Sequence, residues 1–161
     1  MGVYAVKAGG FVGVISDTHG LVRPEAVAAL AGSGLIIHAG DVGGPGVLEE
    51  LGRIAPVVAV RGNNDRGAWA EALAEYEALE VNHTFVYVLH DLKELDIAPA
   101  AAGFRVVVAG HSHRPLVEER RGVLYLNPGS AGPRRFKLPV TVARLKLDGA
   151  DASAEIINLS V

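Results

Sequence analysis

The sequence has no cysteine, one methionine and one tryptophan in 161 residues. Without cysteine, disulfides, thiolate metal ligands and cysteine nucleophiles are all excluded, so any metal must be held by oxygen atoms and imidazole nitrogens. No apolar run approaches the ~20 residues that span a bilayer, and no basic start with a long apolar segment marks a secretory signal. We therefore expect a cytoplasmic protein with no membrane partner.

A large excess of charge of either sign is also missing. The formal net charge is −3 and the sequence pI is near 6.0, which gives no general attraction to nucleic acid. Long nucleic acid is therefore disfavoured as a substrate. The length and the 50% hydrophobic content indicate one domain, which we place at residues 11–161. The status of residues 1–10, and assembly into a homo-oligomer, are left open by the sequence.

Apolar runs rich in β-branched residues alternate with alanine- and leucine-rich stretches in the first part of the chain. The apolar runs predict buried strands at residues 11–16, 35–39 and 57–60. The stretches between them predict helices at 24–31 and 45–54, each with a proline in its first turn. This alternation indicates a parallel sheet with right-handed crossovers.

The later part of the chain is expected to be mostly strands joined by turns, so two packed sheets with helices outside are predicted. A part-helical segment is expected within residues 65–76. The remaining predicted elements are strands at 84–89 and 104–109 with a short helix at 98–102 between them, a hairpin of 116–120 and 123–126 around Arg121-Gly122, and a hairpin of 140–147 and 152–159 around Asp148-Gly149.

Polar side chains follow five of the predicted strands at the point where each strand ends. Taken singly, an aspartate after a strand is more often a helix cap or a turn residue. The repetition at five strand ends favours a ligand cluster, because the carboxyl ends of strands in an α/β sheet meet at one edge. The side chains concerned are Asp17, His19, Asp41, Asn63, His90, His111 and His113.

The number and type of these side chains favour two metal ions. Seven ligands exceed the four of a tetrahedral zinc site and suit two ions that share a carboxylate. The pairs Asp17 with His19 and His111 with His113 are two residues apart, so in extended backbone each pair would point to one side. The imidazole-rich set suits Mn, Fe, Zn, Co or Ni better than Mg.

These motifs resemble those of the calcineurin-like metallophosphoesterase superfamily. The closer resemblance is to its small prokaryotic phosphodiesterase branch, which is related to the metallophosphoesterase-fold subunit of retromer. This resemblance implies an α/β fold, a four-layer αββα sandwich of two mixed β-sheets flanked by helices. The shared motifs are D-x-H (Asp17, His19), G-D (Gly40, Asp41), G-N-x-D (Gly62, Asn63, Asp65), a lone His90, G-H-x-H (Gly110, His111, His113) and N-P-G-S (127–130).

The resemblance also implies a centre of two divalent metal ions, which would be Mn, Ni, Fe, Co or Zn. The implied ligands are Asp17, His19 and His113 for one ion, Asn63, His90 and His111 for the other, and Asp41 for both. The implied catalytic residues are Asp17, Asp41, Asn63, His90 and His111.

The activity that the resemblance implies is hydrolysis of small phosphate esters, in the first place diesters, by a hydroxide that bridges the two metals. All seven ligand positions are filled, whereas the retromer-type relatives have lost part of this set. Complete retention favours an enzyme. The alternatives are a protein-binding scaffold with vestigial activity and a nucleotide or dinucleotide polyphosphate hydrolase.

Two positions depart from the family's pattern. Asn64 stands where the superfamily commonly carries a histidine that can protonate the leaving group. Asp91 stands where a glycine is usual. Its carboxylate would either repel an anionic substrate or point away and accept a bond from a ligand histidine.

Other polar residues have weaker assignments. Asn63, Arg66 and Arg114 are the residues predicted to bind a substrate phosphate, although a solvated surface arginine is an equal alternative for the latter two. The same two readings apply to residues 134–135. His38 lies within an apolar run and is expected to pack in the core.

Overall fold

The computed structural model describes residues 1–161 and shows two mixed β-sheets packed against each other. None of its helices has the length and apolar character that crossing a bilayer requires. The α-helices are α1 (Pro24–Leu30), α2 (Pro45–Gly52) and α3 (Ala68–Glu71), with a 3-10 turn at Leu92–Glu94. The strands are β1 (Gly2–Tyr4), β2 (Val12–Ile15), β3 (Leu35–His38), β4 (Val57–Ala59), β5 (Tyr76–Val81), β6 (Thr84–Leu89), β7 (Phe104–Val108), β8 (Leu116–Arg120), β9 (Val123–Asn127), β10 (Thr141–Asp148) and β11 (Asp151–Asn158).

The five-stranded sheet has the order β11-β10-β2-β3-β4. Its strands β2, β3 and β4 are parallel, as the alternation of apolar runs and helical stretches predicts, and β10 joins β2 in the antiparallel direction. Both predicted helices begin at their prolines, and they bury Leu30 and Leu51 against Ile15 and Ile36 of the sheet. These strands read as continuous apolar runs because both of their faces are covered.

The six-stranded sheet has the order β1-β5-β6-β7-β9-β8. Here β6, β7 and β9 are parallel, and the predicted hairpin of β8 and β9 is confirmed. Strand β5 has no counterpart among the predictions, and of residues 65–76 only α3 is helical. Residues 1–10 also take part, because β1 pairs with β5 and both Tyr4 and Val6 pack against the core.

The helix predicted at residues 98–102 is wrong. The segment forms turns closed by bonds from the Ala102 N–H to the Ala98 carbonyl and from the Phe104 N–H to the Pro99 carbonyl. Gly103 follows the segment with a left-handed φ of 91°, which ends any helical course of the chain there. The outer face of the six-stranded sheet is covered by the 3-10 turn and by the irregular residues after it, such as Leu95 and Ile97.

The packing has four layers. Valine, isoleucine and leucine side chains such as Val14, Ile37, Val88 and Val108 fill the space between the two sheets. A second core lies between the five-stranded sheet and its helices, and a smaller one lies on the outer face of the six-stranded sheet. The arrangement matches the αββα sandwich, with a thin outer layer on one side.

Candidate metal centre

The seven predicted ligands lie in the five loops that follow β2, β3, β4, β6 and β7. Five of them have a left-handed backbone with φ between 46° and 68°. The extended backbone assumed for the D-x-H and H-x-H pairs is therefore wrong, and tight left-handed turns bring their side chains together instead. Left-handed backbone is costly for a non-glycine residue and clusters at functional sites. The residues concerned are Asp17, His19, Asp41, His111 and His113.

One group of ligand atoms is formed by Asp17, His19 and His113. The Asp17 Oδ1 atom is 3.3 Å from His113 Nε2 and 4.0 Å from His19 Nε2. Neither Asp17 Oδ1 nor His19 Nε2 has a hydrogen-bond partner, although both atoms are buried. The other carboxylate oxygen of Asp17 accepts bonds from the Ser16 hydroxyl at 2.6 Å and the His111 N–H at 3.1 Å. The carboxylate is thus held by one oxygen while the other faces imidazoles.

A second group is formed by Asp41, His90 and His111. The Asp41 Oδ2 atom is 3.3 Å from His90 Nε2, and His111 Nδ1 is 3.3 Å from the same nitrogen. The His90 Nδ1 atom lies 2.7 Å from the Ala39 carbonyl oxygen. Since a carbonyl can only accept, Nδ1 carries a proton, and Nε2 faces the carboxylate, where it becomes a ligand atom once it is deprotonated.

The two groups adjoin through Asp17, Asp41 and the imidazoles between them. Asp41 Oδ2 is 3.8 Å from His19 Nε2 of the first group, and His90 Nε2 of the second group is 3.9 Å from Asp17 Oδ1. One oxygen of Asp41 thus lies near an imidazole of each group. Two carboxylates and four imidazoles, with Asp17 Oδ1 and His19 Nε2 buried and unpartnered, fit a pair of divalent ions.

The electrostatics of the cluster favour its charged forms. Burial alone would raise the pKa values of Asp17 and Asp41, but both lie below their usual range. The pKa of Asp17 is lowered by His113 and Ser16. The pKa of Asp41 is lowered by His90 and Asn64. Burial alone would lower the pKa of His90, but its bond to Asp41 and the charge of Asp17 raise it to about 8. A protonated His90 imidazole therefore compensates the carboxylates, and bound cations would displace that proton.

The two neighbouring asparagines have different environments. Asn63 is exposed and lines a polar pocket of about 170 Å³ together with His90 and His111. Asn64 holds the Asp41 carboxylate, because its backbone N–H and its side-chain Nδ2 each donate to one of the oxygens at 2.9 Å. Sequence reasoning gave Asn64 no supporting role, since the two residues are 23 positions apart.

Asp65 joins two of the ligand loops. Its carboxylate accepts bonds from the N–H groups of Val42 at 3.2 Å, Gly43 at 2.9 Å and Gly62 at 2.9 Å. The first two donors follow Asp41, and the third precedes Asn63. Asp65 is therefore a positioning residue for both loops, a role that its place in the G-N-x-D motif did not reveal.

Two glycines allow the loops to approach each other closely. A Cβ atom on Gly62 would meet the backbone nitrogen and the carboxylate of Asp41. A Cβ atom on Gly110 would meet the Ser16 hydroxyl and would lie 2.7 Å from Asp17 Oδ2. The absence of a side chain in the G-N and G-H motifs is thus a packing requirement of the carboxylates.

The N-P-G-S stretch supports the same loops. The Asn127 side chain donates to the Gly110 carbonyl at 3.0 Å and to the Ser112 hydroxyl at 3.1 Å. The Ser130 hydroxyl donates to the Asp17 carbonyl at 3.1 Å. These bonds fix the loops that carry ligands after β2 and β7.

His38 lies beneath the cluster and is fully buried. Its Nδ1 atom accepts a bond from the Gly40 N–H at 3.1 Å, so the proton is on Nε2 and is donated to the Thr18 hydroxyl at 2.9 Å. Thr18 in turn donates to the Val42 carbonyl at 2.7 Å. Burial lowers the pKa of His38 to about 4. The histidine is a neutral structural residue that links two ligand loops, in agreement with the prediction.

A family model described as the calcineurin-like phosphoesterase superfamily domain matches residues 11–150. The chain belongs to this superfamily. It is 40% identical over 158 residues to a probable metallophosphoesterase of Methanothermobacter thermautotrophicus, with 91% of each chain covered. It is 30% identical over 115 residues to the phosphodiesterase YfcE of Escherichia coli, with 63% of this chain and 59% of that protein covered.

Solved structures of the superfamily share the fold. An archaeal phosphodiesterase superimposes with a TM-score of 0.75 at 23% identity, covering 91% of this chain and 99% of that one. Vps29 of Chaetomium thermophilum also gives a TM-score of 0.75, at 18% identity, covering 93% of this chain and 98% of that one. The αββα sandwich and the relation to the small phosphodiesterase branch are thereby confirmed.

The environment of Asp91 shows features of both roles considered for this departure from the superfamily's pattern. Its Oδ2 atom is 3.7 Å from His111 Nε2, and its Oδ1 atom accepts the Lys93 N–H at 3.1 Å. The carboxylate thus faces a predicted ligand histidine. It also lines the polar pocket, where it adds negative charge.

The arginines predicted to bind phosphate lie outside the cluster. Arg66 and Arg114 are both exposed, and Arg114 lies at a groove that also contains His111. Arg134 is structural, because it donates to the carbonyls of Leu138 at 3.2 Å and Val161 at 2.8 Å.

Proposed function

We propose that this chain is a metal-dependent phosphodiesterase that hydrolyses small phosphate esters. The observation that carries the proposal is the pair of adjoining groups, each with one carboxylate and two imidazoles whose ligand atoms lie within 4.8 Å of one another. The names of its relatives, a probable metallophosphoesterase and a phosphodiesterase, support the same reaction class.

In this proposal Asp41 contributes to both metal sites. Divalent ions held here, Mn, Ni, Fe, Co or Zn, would supply Lewis acidity that activates a water at neutral pH and offsets charge on the phosphoryl group. The protein itself needs no nucleophile. The proposed ligands are Asp17, His19 and His113 at one site and Asn63, His90 and His111 at the other. The histidines and Asp17 belong to the two groups of ligand atoms, and Asn63 lines the pocket beside them.

The charge around the polar pocket favours diesters over monoesters. Three carboxylates, those of Glu75, Asp91 and Glu94, line the pocket beside Asn63. One of them is compensated, because Glu75 pairs with Arg61 at 3.1 Å. A phosphate diester carries one negative charge and a monoester close to two at neutral pH, so the remaining carboxylates repel the monoester more strongly.

The test is hydrolysis of bis(p-nitrophenyl) phosphate by metal-stripped protein to which Mn²⁺, Ni²⁺, Zn²⁺ or Mg²⁺ is returned. The Asp41→Asn and His111→Ala variants should lose turnover by about a hundredfold or more, because each removes a ligand. The matched control is His83→Ala, since His83 is exposed in the hairpin turn between β5 and β6. Binding of two ions without turnover by any metal would contradict the proposal and favour a binding scaffold.

A further inference from the structure

A groove of about 680 Å³ lies beside the candidate metal centre and is separate from the polar pocket. The two spaces share only His111 and Asp91. A molecule whose phosphate lies at the centre can therefore extend past His111 into the groove without leaving the protein surface.

The groove exists because the outer layer of the six-stranded sheet is thin. Val107 and Ala109 of the β7 region form its floor. Leu92 of the 3-10 turn forms one wall, while Leu116 and Tyr125 of the β8–β9 hairpin form the other. Residues 98–102, for which the sequence predicts a helix, form only turns and do not line the groove.

The chemistry of the two spaces differs sharply. No hydrophobic residue lines the polar pocket, and its 170 Å³ has little room beyond a phosphate group. Six hydrophobic residues line the groove, whose cationic groups are those of Lys93 and Arg114, both exposed. Its volume lies in the range of small-molecule sites. The Arg120 guanidinium lies 5.0 Å from the centre of the Tyr125 ring and holds this aromatic wall in place.

We infer that the groove binds an apolar or aromatic ester group of the substrate while the phosphate lies at the metal centre. This inference rests on the proposed phosphodiesterase function and assigns the class of diester that it uses. Leu116 and Tyr125 then determine specificity, since they contact the organic group. The groove's continuity with His111 favours this occupant over a separate partner protein.

The inference is tested by comparing two monoanionic ligands that differ by one ring, methyl phenyl phosphate and dimethyl phosphate. Calorimetric titration into the metal-loaded protein at low temperature gives both dissociation constants, whether or not turnover occurs. Burial of the ring should make methyl phenyl phosphate bind about tenfold more tightly.

The variant Leu116→Trp fills the groove and should abolish this tenfold difference while leaving dimethyl phosphate binding unchanged. The matched control is Val117→Trp, because Val117 is the next residue of β8, is exposed and does not line the groove. A second variant, Tyr125→Ser, removes one wall and should weaken only the phenyl ligand.

Equal affinity of the wild type for the two ligands, or equal effects of Leu116→Trp and Val117→Trp, would overturn the inference. Failure of the proposed function gives a different pattern. In that case bis(p-nitrophenyl) phosphate is not hydrolysed with any metal, and this result does not depend on the binding data. A phenyl preference in a protein without turnover would therefore retain the groove as a ligand site and reject only the hydrolysis.

Discussion

Three backbone N–H groups depend on the carboxylate of Asp65, which makes this residue the most informative one to remove. The donors of Val42 and Gly62 are buried, whereas Gly43 is exposed and can turn to water. A hydrogen bond to a charged group contributes about 1.5–3 kcal/mol when its partner stays buried. Two such bonds and a weaker third give an expected loss of about 4 kcal/mol in the free energy of unfolding of Asp65→Ala.

Urea unfolding of the metal-free protein measures this loss directly. With a urea dependence of about 2 kcal/mol per molar, the midpoint should fall by about 2 M. The control variant Asp96→Ala removes an exposed carboxylate and should change the stability by less than about 0.5 kcal/mol. The urea midpoint of Asp65→Asn, which keeps one oxygen acceptor, should lie between those of Asp65→Ala and the wild type.

The same variant also tests the positioning role. The Asp65 carboxylate joins the loops of Asp41 and Asn63 but not those of Asp17 and His113. Metal titration of Asp65→Ala should therefore show a larger loss of affinity for one of the two ions than for the other. A urea midpoint that shifts by less than 0.3 M, on the order of a 0.5 kcal/mol change, would refute the stabilising role. An equal loss of affinity for both metal ions would refute the positioning role.

Four further predictions follow from single contacts. Gly62→Ala should abolish metal-dependent turnover, because its Cβ meets Asp41; a turnover number near that of the wild type would contradict this packing requirement. Since the pKa of His38 is about 4 in the fold against 6.5 for an unperturbed histidine, the unfolded chain takes up the proton first as the pH falls. The free energy of unfolding of the wild type should thus fall by up to about 3 kcal/mol between pH 6.5 and 4. In urea curves at each pH, the His38→Gln variant should lack this part of the decrease. Asp91→Asn should raise the monoester-to-diester rate ratio several-fold, because one repulsive charge is removed; an unchanged ratio would place the selectivity elsewhere. Because Asn64 is bonded to Asp41 and no histidine stands in its place, rates along an aryl-to-alkyl ester series should depend steeply on the pKa of the leaving group; a flat series would reveal a general acid worth about 10²–10⁴-fold.

Local sequence patterns predict the parallel half of this fold well. The runs that become β2 and β3 are apolar on both faces, so hydrophobicity alone marks them. Strand β5 escapes prediction because its sequence, YEALEV, is half-exposed and contains residues that disfavour strands. Its place in the sheet is given by pairing with β6 and β1, which a local pattern does not contain.

The candidate site shows the same division between local and non-local information. The motifs identify the side chains that converge, because each lies directly after a strand. They do not reveal the contacts of Asn64 or Asp65, whose partners lie about twenty residues earlier in the chain. They also mislead about the backbone of the two-residue pairs, since Asp17 and His113 adopt left-handed turns that only the surrounding loops impose.

The left-handed backbone at five predicted ligands also bears on how such a protein can change over generations. At about 1 kcal/mol or more for each of the three histidines, the cost is roughly 3 kcal/mol, a noticeable part of the stability of a typical domain, since aspartate tolerates this region better. Substitutions that replace the three histidines with glycine or asparagine would relax that cost, whereas Asp17 and Asp41 accept hydrogen bonds that hold the loops. Selection for hydrolysis opposes this drift. Once such selection ends, the easier path leads to a stable scaffold of the same shape.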